Sequence, residues 1–324
     1  MAQRACGTGL ELLVQAADAI ELGRARTVLC VGAESMSRNP MTSYTHRRDE
    51  IGSTECRDFL WEALRDTACD LDMGGTAECL AKQYDIDRRA VDIYAARSFM
   101  RALDAREAGF LDDEMVSLQD EDFECGDLVP RHLRLRGAIS VDCDSHPRHS
   151  PVEILGTLKP VFGGVQTAGN SAGICDGAAA ALVTGGRDTA GAGRRPLARL
   201  VAAAIVGVAP REMGIGPVAA IHRLLAAYGL KVGDIDRVEI NEAFAAQVLA
   251  CVHALGIDES RLNVNGGAIA FGHPLAATGL RLAMHCAREL ARCGGRFGIV
   301  SACIGGGQGI ALLLECTGAW SAES

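Results

Sequence analysis

The sequence has few aromatic residues, no Cys-x-x-Cys pair, and no long run of apolar or basic residues. Aromatic residues are only 4% of the 324 residues and Ala and Gly are abundant, which favours packed helices and sheets over a β-sandwich. No apolar run approaches the roughly 18 residues that span a bilayer. With a net charge of −9 and no basic run, we expect neither a membrane span nor nucleic-acid binding.

The cysteines form neither a disulfide framework nor a zinc ribbon. There are thirteen of them, an odd number, at irregular spacings. This usage is typical of a reducing compartment, and no signal-peptide pattern begins the chain, so we expect a cytoplasmic protein without a metal site.

Two α/β patterns flank a more polar middle section, and the length allows two domains or one domain with a large insertion. Apolar periodicity and glycine punctuation predict the elements. Helices are predicted at residues 77–84, 88–108, 217–228, 244–255 and 280–292, and strands at residues 27–32, 111–118, 197–208, 237–240, 296–303 and 309–316. The Gly-, Ala- and Arg-rich residues 185–195 mark the preferred domain boundary. Consecutive α/β units indicate layered sheets with helices on both faces.

Cys6 lies where the first helix is predicted to begin. Apolar residues follow it at helical spacing: Leu10, Leu13, Val14, Ala17 and Ile20. Unpaired backbone N–H groups and the helix dipole at such a position are expected to lower the pKa of a thiol, which makes Cys6 a candidate nucleophile. The alternative is that Cys6 is a small buried hydrophobic residue, as most free cysteines are.

Three further turns combine glycines with polar residues: residues 241–244, residues 266–274 and residues 303–307. Ligands of α/β folds gather at such turns, beyond the ends of strands. Each has a simpler interpretation. Asn241 and His273 could cap helices, Cys303 could belong to a strand core, and Gly305 could belong to a tight β-turn.

Together with the Cys6 loop, these turns resemble the thiolase family. The matching motifs are Cys-Gly-Thr-Gly at residues 6–9, Asn-Glu-Ala-Phe-Ala at 241–245, Gly-Gly-Ala-Ile-Ala-x-Gly-His-Pro at 266–274, and Cys-x-Gly-Gly-Gly-x-Gly at 303–309. They occur in the family's order.

The resemblance implies an α/β thiolase fold, with two βαβαβαββ-type layered domains plus a loop domain. The implied divisions are an N-terminal domain (residues 1–35 and 173–193), a CoA-covering loop domain (36–172) and a C-terminal domain (194–324). Family members carry roughly 60 to 90 residues before the cysteine helix, at about 30 residues per strand-helix unit. We therefore expect an incomplete N-terminal domain, from a misassigned start codon or a truncated gene whose product folds poorly.

The resemblance also assigns roles. Cys6 would take up the acyl group as a thioester, His273 would accept its proton, and Cys303 would move a proton to or from the α-carbon of the other acyl group. His273 with a water held by Asn241 would form one oxyanion site, and the backbone N–H groups of Cys6 and Gly305 the other.

Coenzyme A thioesters are the implied substrates, and no cofactor is implied. Positions that would line the pantetheine tunnel or contact CoA are Met73, Phe162, Ala168, Ser171, Ala172, Ala243 and Phe244. Ser171 is displaced by one residue from the family's pantetheine-contacting serine, which puts its hydrogen bond in question. Arg131, Arg134 and Arg136 could meet the CoA phosphates or form a solvated face.

The implied activity is that of an acyl-CoA:acetyl-CoA C-acyltransferase of fatty acid metabolism, which condenses or cleaves 3-ketoacyl-CoA by a ping-pong mechanism. A homodimer or tetramer is implied, with a possible 3-hydroxyacyl-CoA dehydrogenase or hydratase partner. Two alternatives stay open: an inactive truncated remnant, and a condensing enzyme of secondary metabolism.

Overall fold

The computed structural model describes residues 1–45, 54–135, 137, 139–186, 188 and 195–317, which form a mixed α/β structure. The α-helices are α1 (Thr8–Glu21), α2 (Phe59–Ala63), α3 (Met73–Gln83), α4 (Arg88–Glu107), α5 (Val152–Leu155), α6 (Gly216–Tyr228), α7 (Ala245–Leu255), α8 (Ala268–Phe271) and α9 (Leu275–Cys293). Among the described helices, none is long and apolar enough to cross a bilayer.

The strands form two main sheets and several short hairpins. In chain order the strands are β1 (Thr27–Ser35), β2 (Met41–Thr45), β3 (Thr54–Asp58), β4 (Arg65–Asp66), β5 (Leu71–Asp72), β6 (Leu118–Gln119), β7 (Glu121–Phe123), β8 (Arg131–Leu133), β9 (Ser140–Val141), β10 (Asp176–Thr184), β11 (Ala198–Gly207), β12 (Arg237–Ile240), β13 (Phe297–Ile304) and β14 (Gln308–Cys316). One sheet pairs β1 with β10, and the other has the order β11-β14-β13-β12.

The four-stranded sheet brings two of the predicted loops to one edge. Strands β12 and β13 are parallel, so residues that follow their carboxyl ends meet at the same side of the sheet. Strands β13 and β14 are antiparallel and joined by a turn of three glycines, residues 305–307. Asn241 and Gly305 therefore follow neighbouring strand ends.

Helices α1 and α9 pack against both main sheets and against each other. Leu10 of α1 and Leu280 of α9 share one buried cluster with Cys30 of β1 and Val300 of β13. The helices approach closely because Gly9 and Gly279 face each other's backbone. A Cβ added at Gly9 would lie 2.6 Å from the backbone N of Leu280, so only glycine fits.

Strand β1 confirms the strand predicted at residues 27–32, but it is only half-buried, although its run of apolar residues is typical of a fully buried strand. Cys30 faces the helices, but Leu29 and Val31 on the opposite face are 65% and 55% exposed, and Leu182 of β10 is 62% exposed. The sequence does not indicate this alternation of buried and exposed side chains, because the residues on both faces of the strand are apolar.

The middle section carries α3 and α4, which confirm the helices predicted there. Asp72 and Asp87 cap them, accepting hydrogen bonds from the backbone N–H groups of Gly75 (2.6 Å) and Ala90 (2.7 Å). The prediction of a strand at residues 111–118 is wrong except at Leu118, where β6 begins. Asp112–Glu114 instead form a 3-10 turn, whose acidic side chains bind α9: Glu114 pairs with His285 at 2.9 Å.

The predicted domain division stays a prediction. Part of its proposed boundary, residues 187 and 189–194, lies outside the described residues.

Candidate active site

Cys6 lies in a 3-10 turn, Ala5–Gly7, directly before α1, as predicted. Ala5 adopts a left-handed backbone conformation with φ of 42°, which is costly for a residue with a Cβ. Thr8 closes the turn: its hydroxyl accepts from Arg4 N and donates to Ala5 O, both at 2.8 Å. The strained turn is therefore held in place by a local hydrogen-bond pair.

The thiol of Cys6 is protonated at neutral pH, so the expectation of a lowered pKa is wrong. Burial raises the pKa of Cys6 to about 11, and the nearby Glu34 carboxylate acts in the same direction. The backbone N–H of Gly305, which bonds the thiol, lowers the pKa but is outweighed. Cys6 therefore needs a base to become a nucleophile.

His273 is buried in the loop between α8 and α9, and its ring is bonded on both sides. Nδ1 lies 2.7 Å from the hydroxyl of Thr278, and that hydroxyl donates to Pro274 O at 2.9 Å. Because a hydroxyl has one proton, Thr278 accepts from Nδ1–H, and the lone pair of the ring lies on Nε2. Nε2 is 3.3 Å from the side-chain amide nitrogen of Asn241.

The pKa of His273 is lowered to about 4, first by burial and then by the positive charge of Arg281. Burial acts in this direction because it disfavours the imidazolium. The ring is therefore neutral across the physiological range, as a proton acceptor must be.

Asn241 lies at the end of β12, fully buried, where its backbone N–H donates to Ser301 O at 2.9 Å. Its side-chain oxygen Oδ1 is buried without a hydrogen-bond partner among the described residues. A buried acceptor of this kind can take a hydrogen bond from a ligand or a water.

Cys303 on β13 is buried and lies near Cys6. Burial raises the pKa of Cys303 well above its usual range, and the nearby sulfur of Cys6 adds to the effect. In the turn that follows, Gly307 has φ of 80°, and a Cβ there would lie 2.3 Å from Val208 O. The turn therefore requires glycine, and it presents the N–H of Gly305 to Cys6.

Most of the predicted tunnel positions share one apolar cluster with Cys303, which contains Met73, Phe162, Ala243 and Phe244. The rings of Phe162 and Phe244 meet edge to face with centroids 6.0 Å apart. Ala172 N donates to Ala243 O at 3.0 Å, which joins residues 171–172 to the same wall.

Two other predicted CoA contacts, Ala168 and Ser171, stay predictions. Ala168 is exposed in a turn. The hydroxyl of Ser171 donates to Thr167 O at 2.7 Å, so it is already engaged with the backbone. Among the basic residues, Arg134 is exposed and pairs with Asp122, Arg131 is exposed on β8, and Arg136 lies outside the described residues.

Sequence reasoning missed Thr278, the residue that orients His273. A hydroxyl five residues after the histidine, in the first turn of the following helix, could have indicated it. It also missed Arg281, one turn further along α9, because a single arginine on an amphipathic helix has the pattern of a solvated residue.

Two family models match this chain: "Thiolase, N-terminal domain" over residues 2–186 and "Thiolase, C-terminal domain" over residues 194–316. The chain is 42% identical to the mitochondrial 3-ketoacyl-CoA thiolase of Bos taurus, covering 97% of this chain and 77% of the relative. It is 40% identical to Beta-ketothiolase BktB of Cupriavidus necator, with 96% and 77% covered.

Solved structures give the same result. Human mitochondrial 3-ketoacyl-CoA thiolase in complex with CoA matches with a TM-score of 0.88 and 39% identity, covering 98% of this chain and 77% of that one. The Bacillus anthracis acetyl-CoA acetyltransferase matches with a TM-score of 0.85. The expected lack of the N-terminal segment is not borne out, because the N-terminal domain model matches from residue 2.

Proposed function

The chain belongs to the thiolase family, and we propose that it condenses and cleaves 3-ketoacyl-CoA by a reversible ping-pong Claisen exchange in which Cys6 carries the acyl group. The observations that support this most directly are that Cys6 lies close to Cys303 and to the Gly305 N–H, and that His273, which is bonded to Asn241, has a neutral ring suited to the role of base. Thioester exchange needs these groups: a nucleophile, a base, a second proton carrier and oxyanion donors.

In the cleavage direction, Nε2 of His273 takes the proton of the Cys6 thiol, and the sulfur attacks the 3-keto carbonyl. The bond between C2 and C3 of the substrate then breaks. The acyl group stays on Cys6, and the electron pair of the broken bond goes to the enolate of acetyl-CoA. Cys303 protonates the enolate carbon. The thiol of an incoming CoA then gives its proton to the Cys303 thiolate and attacks acyl-Cys6. The bond between the acyl carbon and the Cys6 sulfur breaks, acyl-CoA leaves, and the Cys6 thiolate takes back its proton from His273.

Two oxyanion sites would stabilise these steps. The backbone N–H groups of Cys6 and Gly305 would donate to the oxygen on the acyl carbon. His273, with a water held by Asn241, would serve the enolate oxygen. The unpartnered Oδ1 of Asn241 supports this second site, because it can accept a hydrogen bond from such a water.

The CoA arm would lie along the apolar cluster of Met73, Phe162, Ala243 and Phe244, which leads to Cys303. An apolar wall suits a long, mostly apolar ligand. The matching human structure contains CoA, which supports CoA as the ligand of this site. Ala168, Ser171 and Ala172 would lie near the outer part of the arm.

The test is thiolysis of acetoacetyl-CoA and longer 3-ketoacyl-CoA thioesters by the purified protein and its Cys6→Ser variant. We expect kcat to fall by at least about 10³-fold in this variant, since the covalent step is lost. Cys293→Ser, which changes an exposed cysteine at the end of α9, is the matched control and should retain activity. Mass spectrometry should find the trapped acyl group on the Cys6 peptide.

An unchanged rate in Cys6→Ser, or an acyl group on another residue, would contradict the proposal. The same assay with acyl-carrier-protein thioesters separates it from a condensing enzyme of secondary metabolism, which would prefer them over free CoA thioesters. An inactive remnant would turn over neither.

We also propose a cytoplasmic enzyme of fatty acid metabolism that forms a homodimer or tetramer and exchanges substrates with a 3-hydroxyacyl-CoA dehydrogenase or hydratase. The free state of its cysteines is typical of a reducing compartment. Exposed Leu29, Val31 and Leu182 on one sheet face support association with a second copy, because such patches are typical of interfaces. Light scattering after size exclusion would measure the assembly.

A further inference from the structure

A buried carboxylate, Glu242, lies next to Asn241 and outside the reaction steps described above. It is 1% exposed, and no salt bridge to it occurs in the part of the chain that the structure describes. A carboxylate at such a site persists only if neighbouring donors satisfy it. Its partners therefore show what it holds in place.

Four donors reach its two oxygens. Oε1 accepts from the hydroxyl of Tyr94 and from the amide of Asn263, both at 2.9 Å. Oε2 accepts from the hydroxyl of Ser98 at 2.7 Å and from the backbone N–H of Ile269 at 3.1 Å. All four donors are uncharged groups, and each oxygen of the side chain takes two of them.

These donors come from three separate parts of the fold. Asn263 also bonds both backbone groups of Ile240, at 2.9 Å each, and so fixes the end of β12 just before Asn241. Ile269 belongs to α8, the short helix that leads into His273. Tyr94 and Ser98 belong to α4 of the middle section.

The loop that carries His273 has little freedom around this carboxylate. Gly267, which precedes α8, donates its backbone N–H to the hydroxyl of Ser98 at 3.1 Å. A Cβ at Gly267 would lie 2.3 Å from the carboxyl carbon of Glu242. The loop and the carboxylate are therefore in direct packing contact as well as hydrogen-bonded.

We propose that Glu242 is a positioning residue for catalysis, which holds Asn241 and His273 in mutual contact by tying both of their loops to helix α4. The inference rests on the proposed function, in which that pair forms the base and one oxyanion site. Glu242 itself touches no reacting atom. Its effect is to keep the Asn241 amide 3.3 Å from Nε2 of His273.

The Glu242→Gln variant tests this with almost no change in volume. An amide nitrogen cannot accept a hydrogen bond. In one orientation of the new amide, its NH₂ group faces the N–H of Asn263, and in the other it faces the N–H of Ile269. Two N–H groups cannot bond each other, so one hydrogen bond is lost in either orientation. The hydroxyls of Tyr94 and Ser98 can rotate and accept, so the disturbance falls on the two catalytic loops.

We expect kcat of Glu242→Gln to fall by about 10²-fold, since small misplacement of reacting groups costs that much. KM should stay within about threefold, because the apolar wall that binds CoA is untouched. Alkylation of Cys6 by iodoacetamide, followed on the Cys6 peptide, should slow by about tenfold or more, because it depends on the base His273.

Glu239→Gln is the matched control. Glu239 lies on β12 three residues earlier and is also 1% exposed, and no hydrogen bond ties it to either catalytic loop among the described residues. It should keep kcat, KM and alkylation within about threefold of the wild type. A general effect of altering a buried glutamate would lower both variants alike, and that result would overturn the proposal.

Tyr94→Phe keeps the inference testable if Glu242→Gln does not fold. It removes only the hydroxyl that α4 donates to Oε1. A fall in kcat of about fivefold or more at unchanged KM supports the proposal, and an unchanged kcat in the folded variant overturns it.

The two proposals can fail separately. Absence of thioester turnover by the wild type would contradict the proposed function alone, because alkylation of Cys6 needs no substrate and still reports the positioning of His273. Unchanged alkylation and kcat in a folded Glu242→Gln variant of an active enzyme would contradict the positioning role alone.

Discussion

At Cys6 two physical effects oppose each other, and their balance decides how the nucleophile works. Hydrogen bonding by the backbone N–H of Gly305 favours the thiolate, while burial and Glu34 favour the thiol and raise the pKa to about 11. Burial prevails because loss of hydration affects the whole charge of a thiolate, and one backbone N–H replaces only part of that hydration. Activation therefore needs a base in each turnover, which is the role we propose for His273.

The pH profile of kcat/KM should have its acid limb near the lowered pKa of His273, about 4. A lowered pKa means that the ring is neutral and able to accept a proton above that pH, and that it loses this ability only as the pH falls through it. Arg281→Met should move the limb upward, because a positive charge that disfavours imidazolium is removed.

Circular dichroism at each pH serves as the control for unfolding. A wild-type limb near 6.5, the ordinary value for histidine, would contradict this account of the site.

Thr278 should matter as much for the tautomer of His273 as for its position. Thr278→Val keeps the shape but removes the acceptor of Nδ1–H, so we expect kcat to fall by about 10²-fold. Thr278→Ser keeps the hydroxyl and should stay near the wild-type rate. Equal steady-state rates for the valine and serine variants would show that the hydroxyl does not select the tautomer.

At the scale of elements, the positions of helices and strands followed from sequence wherever local signals were strong. The strand Arg237–Ile240 has the predicted bounds, and Gly216–Tyr228 differs from the predicted helix by one residue. Periodicity and glycine punctuation are local properties, so a short window contains them.

Burial, long-range hydrogen bonds and pKa values depend on tertiary contacts, which a short stretch of sequence does not contain. The half-exposed β1 depends on what covers each of its faces. The bonds from Tyr94 and Ser98 to Glu242 join residues 148 and 144 positions apart. The pKa of Cys6 is raised by burial and by Glu34, and it is lowered by the N–H of Gly305, which comes from the far end of the chain. The four loops could be recognised in sequence, but their electrostatics could not.

The crossing of α1 and α9 is a contact between elements that should tolerate little change. A Cβ at position 279 would lie 2.3 Å from the backbone N of Leu10. We expect Gly279→Ala to lower the free energy of unfolding by about 1–3 kcal/mol through overpacking, measured by urea denaturation. Activity should fall as well, because α1 carries Cys6 at its start.

Gly207→Ala is the matched control, since an added methyl there meets nothing within 4 Å. It should leave stability and activity close to those of the wild type. If both variants were equally stable, the close approach of the two helices would not be a constraint.

At the scale of the whole molecule, the two main sheets are coupled through one shared core. Leu10, Cys30, Leu280, Val300 and Ile310 belong to the same buried cluster, although they come from two helices and from strands of both sheets. Neither sheet can lose its helices without exposing apolar surface of the other. The Cys6 turn and the Cys303 strand are thereby held by the same packing.

Because of this shared core, Leu10→Ala should destabilise both sheets together. Leu10 is fully buried between them, and removing its side chain should lower the free energy of unfolding by about 2–5 kcal/mol. Unfolding should stay a single calorimetric transition at a lower temperature. In hydrogen exchange, β1 and β13 should lose protection at the same denaturant concentration, in the variant as in the wild type. If β13 kept its protection after β1 had opened, the sheets would be separate cooperative units, and the active site would be assembled from two independently stable halves.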